Sequence, residues 1–136
     1  MPRLPWFDIL AWLLAAFFLA GAVGNAFVSE ENAANYARWG YPAWFHLVTA
    51  VLEFVAAILL VVRPLRIFGA LLGGTVMLAA VGTVVLHGEY AHAIPPTVVL
   101  GVSVLVAFGT RRGASARRGR VEATGLRGAS NGVSAR

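Results

Sequence analysis

The sequence predicts an all-α integral membrane protein built as a four-helix bundle, and three observations support this class. The 136 residues are 59% hydrophobic and their mean hydropathy is +0.75, whereas the apolar share of an ordinary soluble domain is closer to half. The apolar residues form four long runs, and a helix of about 20 residues matches the hydrocarbon core of a bilayer. Polar connectors separate these runs. The predicted spans cover about residues 9–28, 43–62, 67–86 and 94–108, so the bundle occupies residues 1–109.

The first span follows a short polar lead, residues 1–8, that contains Arg3 and Asp8. A cleaved signal peptide is the alternative, because the small-residue sequence GAVGNA closes this segment. The span is favoured because the apolar run is long for a signal peptide and because Asp8 stands where a signal peptide carries positive charge.

A polar connector, residues 29–42, follows the first span and is long enough for a short helix at the membrane surface. Gly40 and Pro42 predict a turn at its end. Trp39 and Tyr41 are expected at the level of the lipid headgroups, where such aromatic residues are enriched.

Glu53 lies near the middle of the second span, where a carboxyl group is costly unless it is protonated, paired or turned toward the bundle interior. Residues three and four apart share one face of a helix. The face that carries Glu53 is small and polar, while the other faces are bulky and apolar. That face consists of His46, Thr49, Ala50, Glu53, Ala56 and Ala57. We therefore expect it to pack against protein and the bulky faces to contact lipid.

The third span follows a short link, residues 63–66, whose proline ends the preceding helix. Gly69 and Gly73 form a GxxxG pair, which predicts close helix packing either within the chain or between copies in an oligomer. The fourth span has only about fifteen apolar residues, so we expect it to tilt, to be covered by its neighbours, or to meet a thinned bilayer.

Residues 110–136 form an arginine-rich tail with almost no large apolar side chain, and this composition predicts disorder. Of the eleven arginines, all but Arg38 lie in the N-terminal lead, the 63–66 link or this tail. Positive charge favours the cytoplasmic side, so both termini are predicted to be cytoplasmic. The tail is expected to be attracted to anionic lipid, with docking of a partner protein as the alternative.

Polar residues from several spans are expected to converge toward the outer side of the bundle in this topology. The candidate ligand or proton pocket consists of Asn25, His46, Thr49, Glu53, Thr83, His87 and Glu89. We expect it to open outward, with Glu53 at its floor and the 87–89 segment at its rim. The alternative is structural: Glu53 is protonated or hydrogen-bonded to Thr and Asn neighbours and only fixes the helix packing.

Several kinds of chemistry are not indicated. The chain has no cysteine, which excludes disulfides, iron–sulfur clusters and thiolate zinc sites within it. His46, His87, Glu89 and His92 are suitable metal ligands by type, but their spacing matches no metal motif and no metal site is predicted. A haem held by His46 and His87 is a further alternative. No nucleophilic triad and no basic patch with interleaved aromatic residues is recognisable, so neither an isolated enzyme nor nucleic-acid binding is predicted.

The order of features from Gly40 to Gly109 resembles the DoxX-like family of membrane proteins. These features are the GYP entry, the Leu-Glu pair at 52–53, the short basic link, a small-residue third span, the His-Gly-Glu connector at 87–89 and the proline pair at 95–96. The resemblance implies a four-helix bundle in the bacterial inner membrane. Some relatives are the membrane subunit of thiosulfate:quinone oxidoreductase, and others belong to oxidoreductase complexes that handle oxidative or thiol stress. The positions that carry over are Glu53 and the 87–89 connector.

We therefore expect a multi-pass protein that is an accessory subunit of a quinone-linked oxidoreductase or redox-stress complex. The sequence does not specify a cofactor, and quinone is the candidate. The expected partners of the protein are the lipid bilayer and an oxidoreductase protein. Two alternatives remain: a carrier of protons or a small solute that uses the Glu53 pocket, and a purely structural membrane scaffold.

Overall fold

The computed structural model describes residues 5–133, and the side chains of residues 6–127 within them. The five helices are α1 Pro5–Ala26, α2 Glu30–Arg38, α3 Phe45–Val61, α4 Arg66–Leu86 and α5 Ile94–Val133. Short 3-10 turns, Arg63–Leu65 and Tyr90–Ala93, lead into α4 and α5. No strand occurs among the described residues, and the prediction of an all-α fold is confirmed.

Four of the helices form a closed bundle, and the short α2 lies at one end of it. Helix α1 packs against α3, α3 against α4, α4 against α5, and α5 against α1. Helices α1, α4 and α5 are long and apolar enough to cross a membrane. Helix α3 is shorter, since its 17 residues extend about 26 Å at about 1.5 Å per residue. The cytoplasmic location of both termini stays a prediction.

The two sides of α3 have the different surroundings that its sequence predicts. Ala50, Glu53, Ala56 and Ala57 are buried inside the bundle. The opposite faces display large apolar side chains such as Val51, which is 60% exposed. Apolar surface of this extent on every outer face suits lipid rather than water.

The glycine pair of α4 packs against neighbouring helices of the same chain. A Cβ atom at Gly69 would lie 2.7 Å from the backbone nitrogen of Leu60 and 2.9 Å from the carbonyl oxygen of Ala56. A Cβ atom at Gly73 would collide with the ring of Phe18. The predicted close packing therefore takes place within the bundle, and an oligomer formed through this pair stays a prediction.

The C-terminal segment differs from the disordered tail that the sequence predicts from residue 110. Helix α5 continues without a break to Val133, and residues 114–127 are exposed along its whole extension. Alanine and arginine are strong helix formers and no proline follows Pro96, so the helix continues in spite of the glycines at 113, 119 and 125. Arg3 and residues 134–136, which also contribute to the predicted charge bias, lie outside the described residues.

Candidate functional site

Two helix caps of the same kind shape the end of the bundle that carries α2, here called the α2 end. Gly40 (φ 80°) follows the end of α2 and Gly88 (φ 73°) follows the end of α4, both in the left-handed region that favours glycine. After Gly40, the N–H of Tyr41 donates to the carbonyl of Tyr36 at 3.0 Å, and after Gly88 the N–H of Glu89 donates to the carbonyl of Val84 at 2.8 Å. This is the Schellman pattern of helix termination. The two caps place Tyr41 and Glu89 at the α2 end.

Glu53 begins a chain of hydrogen bonds that links α3 to α1 and α2. Its side chain is buried, with the residue only 4% exposed. Asn25 Nδ2 donates to Glu53 Oε2 at 2.9 Å, and the Tyr36 hydroxyl donates to Asn25 Oδ1 at 2.9 Å. The second carboxyl oxygen, Oε1, has no hydrogen-bond partner among the described residues. It is therefore open to a further partner.

Gly21 of α1 forms the wall against which the Glu53 carboxyl group packs. A Cβ atom at this position would lie 2.9 Å from both carboxyl oxygens. Three residues further along α1, nothing lies within 4 Å of a Cβ atom built at Gly24. The missing side chain at Gly21 thus makes room specifically for the carboxyl group.

A cavity of about 390 Å³ joins Glu53 to the α2 end. Its walls combine amide, hydroxyl and carboxyl groups with aromatic rings. The polar lining includes Asn25, Asn32, Asn35, Thr49, Glu53 and Thr83, and the aromatic lining consists of Tyr36, Trp39, Tyr41 and Phe45. The Tyr41 and Phe45 rings are stacked with their centroids 4.2 Å apart. The cavity therefore has a carboxyl floor and an aromatic side wall.

The two tyrosine hydroxyls of this wall are held in place by hydrogen bonds. Tyr41 Oη and Thr83 Oγ1 lie 2.6 Å apart and share a hydrogen bond, which ties the connector after α2 to α4. Burial raises the pKa of the Tyr36 phenol above its ordinary value of 10.0. Tyr36 is therefore protonated at neutral pH and acts as a hydrogen-bond donor.

Glu89 closes the rim of the cavity at the α2 end. Its Oε1 accepts from Arg38 Nη2 at 2.5 Å and from Trp39 Nε1 at 3.2 Å, and its Oε2 lies 3.0 Å from His92 Nδ1. The Trp39 indole N–H first, then His92 and Arg38, lower the pKa of Glu89 below its ordinary value. An ionised Glu89 thus fastens the end of α2 to the connector between α4 and α5.

The structure brings together four of the seven predicted pocket residues, since Asn25, Thr49, Glu53 and Thr83 all line the cavity. The other three lie around it. His46 Nδ1 donates to the backbone carbonyl of Asn25 at 2.7 Å and so supports the wall from behind. Glu89 lies at the rim.

His87 lies apart from the cavity walls. Its Nδ1 donates to the carbonyl of Thr83 at 2.7 Å, within the last turn of its own helix.

Within residues 5–133, no group of three or more His, Asp or Glu side chains lies close enough together to hold a metal ion.

Sequence reasoning missed Gly21, Tyr36 and Tyr41 as parts of the site. The two tyrosines flank the turn at Gly40, and the sequence alone suggested a role for Tyr41 at the membrane surface. The Schellman signal at Gly40 indicates that the chain reverses there, and this reversal brings both rings over the end of α3.

The fold and the cavity define the class: an all-α membrane protein with a polar pocket inside a helical bundle. The chain matches the model of the DoxX-like family over residues 9–106, and it belongs to this family. The matched range covers most of α1, all of α2 to α4, and α5 up to the arginine-rich extension. The resemblance predicted from the sequence is thereby confirmed. No curated protein and no solved structure matches the chain.

Proposed function

We propose that this DoxX-like membrane protein binds the ring of a quinone in the Glu53 cavity and is the membrane subunit of an oxidoreductase complex. The observation that carries the proposal is the buried Glu53 carboxyl group, with one oxygen free of partners, at the floor of an aromatic-walled cavity. A bacterial inner-membrane location belongs to the same proposal.

The size and lining of the cavity suit a flat ring with two carbonyl oxygens. Its volume of about 390 Å³ is in the range of about 300–1,000 Å³ that is usual for small-molecule sites. The stacked Tyr41 and Phe45 rings offer a surface for aromatic packing. A protonated Glu53 is a hydrogen-bond donor for a carbonyl oxygen, since its Oε1 is not paired within the described residues.

The chemistry of a quinone requires two electrons and two protons for reduction to the quinol. Glu53 can supply one of the two protons next to the ring and regain it afterwards, and the second proton comes from water through the α2 end of the cavity. The chain has no cysteine with which to form a disulfide or an iron–sulfur cluster, and in this proposal the two electrons come from the partner oxidoreductase. The subunit supplies binding, orientation and a proton.

A binding site is favoured over a carrier of protons or solutes. A carrier needs access to its site from both sides of the membrane in turn. Beyond Glu53 the interior is filled by buried apolar side chains, among them Phe18 and Leu60, both 0% exposed. The cavity is therefore a dead end that opens at the α2 end.

Fluorescence quenching tests the proposal directly because Trp39 lines the cavity. A short-chain quinone titrated into the purified protein in mild detergent should quench tryptophan emission with saturation. Trp39→Phe should lower the amplitude of this saturable quenching. Trp12→Phe, which replaces a 59% exposed tryptophan on the outer face of α1, is the control and should leave it intact. Quenching that stays linear, and is the same in both variants, would exclude ring binding in the cavity.

The subunit role has its own test. Isolation in mild detergent, followed by quinone extraction and identification of co-purifying proteins, should yield an oxidoreductase partner. A protein that is repeatedly isolated alone, with no change in its cells' quinone-reducing activity when it is deleted, contradicts the subunit role.

A further inference from the structure

A second polar cavity, of about 660 Å³, lies at the opposite end of the bundle from Glu53. It is formed where α1 begins, where α3 passes into α4, and where α5 enters its exposed extension. Its charged lining consists of Asp8, Arg63, Arg66 and Arg112. Three guanidinium groups therefore face one carboxylate, which leaves a net charge of two positive units around the cavity.

Both carboxylate oxygens of Asp8 accept hydrogen bonds from two of the three arginines. Its Oδ1 accepts from Arg66 Nη1 at 2.6 Å, and its Oδ2 accepts from Arg63 Nη2 at 3.0 Å. Arg112 has no ion pair with any described residue. The excess positive charge is thus not compensated by the part of the chain that the structure describes.

Arg66 has hydrogen-bonding capacity left over although it is buried. The residue is only 7% exposed. Its Nε donates to the carbonyl of Leu60 at 3.0 Å, which satisfies one of the unpaired carbonyls at the end of α3. Its Nη2 is buried and has no hydrogen-bond partner among the described residues. An unpaired buried donor on a charged group is costly unless something binds it.

We propose that this cavity, defined by Asp8, Arg63, Arg66 and Arg112, is a binding site for a phosphate group. Guanidinium groups bind phosphate oxygens through paired, charge-assisted hydrogen bonds. The N-terminus of α4 lies at the same place and adds the positive end of its helix dipole. The arginine cluster is also at the end of the spanning segments, where basic pockets between helices meet lipid headgroups.

The volume of the cavity favours a phosphate that is part of a larger headgroup. A space of about 660 Å³ would hold about twenty water molecules, far more than a bare phosphate ion fills. An anionic phospholipid and free inorganic phosphate nevertheless offer the same chemistry to the arginines. The experiment therefore tests both sources.

The test uses the full chain, purified in detergent and stripped of lipid. Phosphatidylglycerol, phosphatidylcholine or inorganic phosphate is added, and thermal melting and native mass spectrometry report binding. Stabilisation and retention by phosphatidylglycerol, and less by phosphatidylcholine, identify the headgroup as the source. An equal response to inorganic phosphate with none to lipid identifies the free ion, and both results support the site.

Two variants and one matched control locate the effect. Arg112→Gln should weaken binding of the effective anion about tenfold, through loss of charge-assisted hydrogen bonds. Gly113→Leu should also weaken it, because the new side chain would fill part of the cavity without changing the charge. Arg111→Gln is the control, since Arg111 is adjacent but lines a different, apolar groove between α4 and α5.

Two results would overturn the proposal. One is that no added anion stabilises the protein or is retained by it. The other is that Arg111→Gln weakens binding as much as Arg112→Gln, which would indicate a general attraction between a basic surface and anions.

Discussion

Substitution of Glu53 by Gln and by Leu separates a functional role of this carboxyl group from a purely structural one. Gln has the volume of Glu and keeps a carbonyl oxygen that can accept from Asn25 Nδ2, the donor now 2.9 Å from Glu53 Oε2. Leu has no acceptor. The two variants therefore differ in whether the Asn25 amide keeps its partner.

The structure gives the size of the expected difference in stability. Glu53→Gln retains the one hydrogen bond that the carboxyl group accepts, so its free energy of unfolding should change by less than about 1 kcal/mol. Glu53→Leu leaves the partly buried Asn25 amide without its acceptor and should cost about 1 to 3 kcal/mol. At about 3 °C per kcal/mol for a chain of this size, the melting temperature should fall by about 3 to 9 °C.

Quinone reduction should respond in a different way from stability. Glu53→Gln should fold like the wild type and still bind a short-chain quinone, because its amide N–H is a donor, but it should fail to support reduction, because Gln cannot release a proton. Glu122→Gln makes the same chemical change in the exposed extension of α5 and should alter neither property. If Glu53→Gln is as stable and as active as the wild type, the carboxyl group has only a packing role and the functional claim fails.

Three further predictions concern the cavity wall, its rim and the topology. Gly21→Ala would place a methyl group 2.9 Å from both oxygens of the buried carboxyl group and should weaken quinone binding. The control Gly24→Ala meets nothing within 4 Å, so it should bind normally and gain up to about 1 kcal/mol of helix stability. Equal binding by the two variants would show that Gly21 does not shape the quinone site. The fold lowers the pKa of Glu89 from 4.5, so the stability that its ionised form contributes is present above pH 4.5 and is lost as the pH falls below that value. The melting temperature of the wild type should therefore drop more on acidification than that of Glu89→Gln. Parallel melting curves would show that the rim does not depend on ionised Glu89. A reporter that is active only in the cytoplasm should work when fused after Val133 and stay silent when inserted near Asn35, and the reverse pattern would refute cytoplasmic termini.

Helix positions followed from the apolar runs, and the differences at their ends have local causes. Helix α1 is described from Pro5 onward, ahead of the predicted start near residue 9, and it includes Asp8, whose charge is paired with Arg63 of the 3-10 turn and with Arg66 at the start of α4. The sequence shows the charge of Asp8 but not the partners that the fold brings to it. Helix α3 begins at Phe45 because the preceding residues form a turn, in which the N–H of Phe45 donates to the carbonyl of Pro42.

Helix periodicity predicts only those cavity residues that lie on the membrane-spanning helices. The spacing along α3 places Glu53 on the buried face, and depth along the spans brings Asn25 and Thr83 to the same end. The contribution of Tyr36 depends on how α2 folds back over the bundle, which the sequence does not specify. His87 lies away from the cavity because its ring caps a carbonyl of its own helix, an interaction that competes with any role in the pocket.

Photolabelling with a quinone that carries a photoreactive group locates the quinone on the chain. The labelled protein is digested and the modified peptides are identified by mass spectrometry. Label should appear on the aromatic wall, in the segment from Tyr36 to Phe45, and excess unlabelled quinone should prevent it. Label confined to the apolar groove between α4 and α5, or unaffected by unlabelled quinone, would contradict the assignment of the Glu53 cavity as the quinone site.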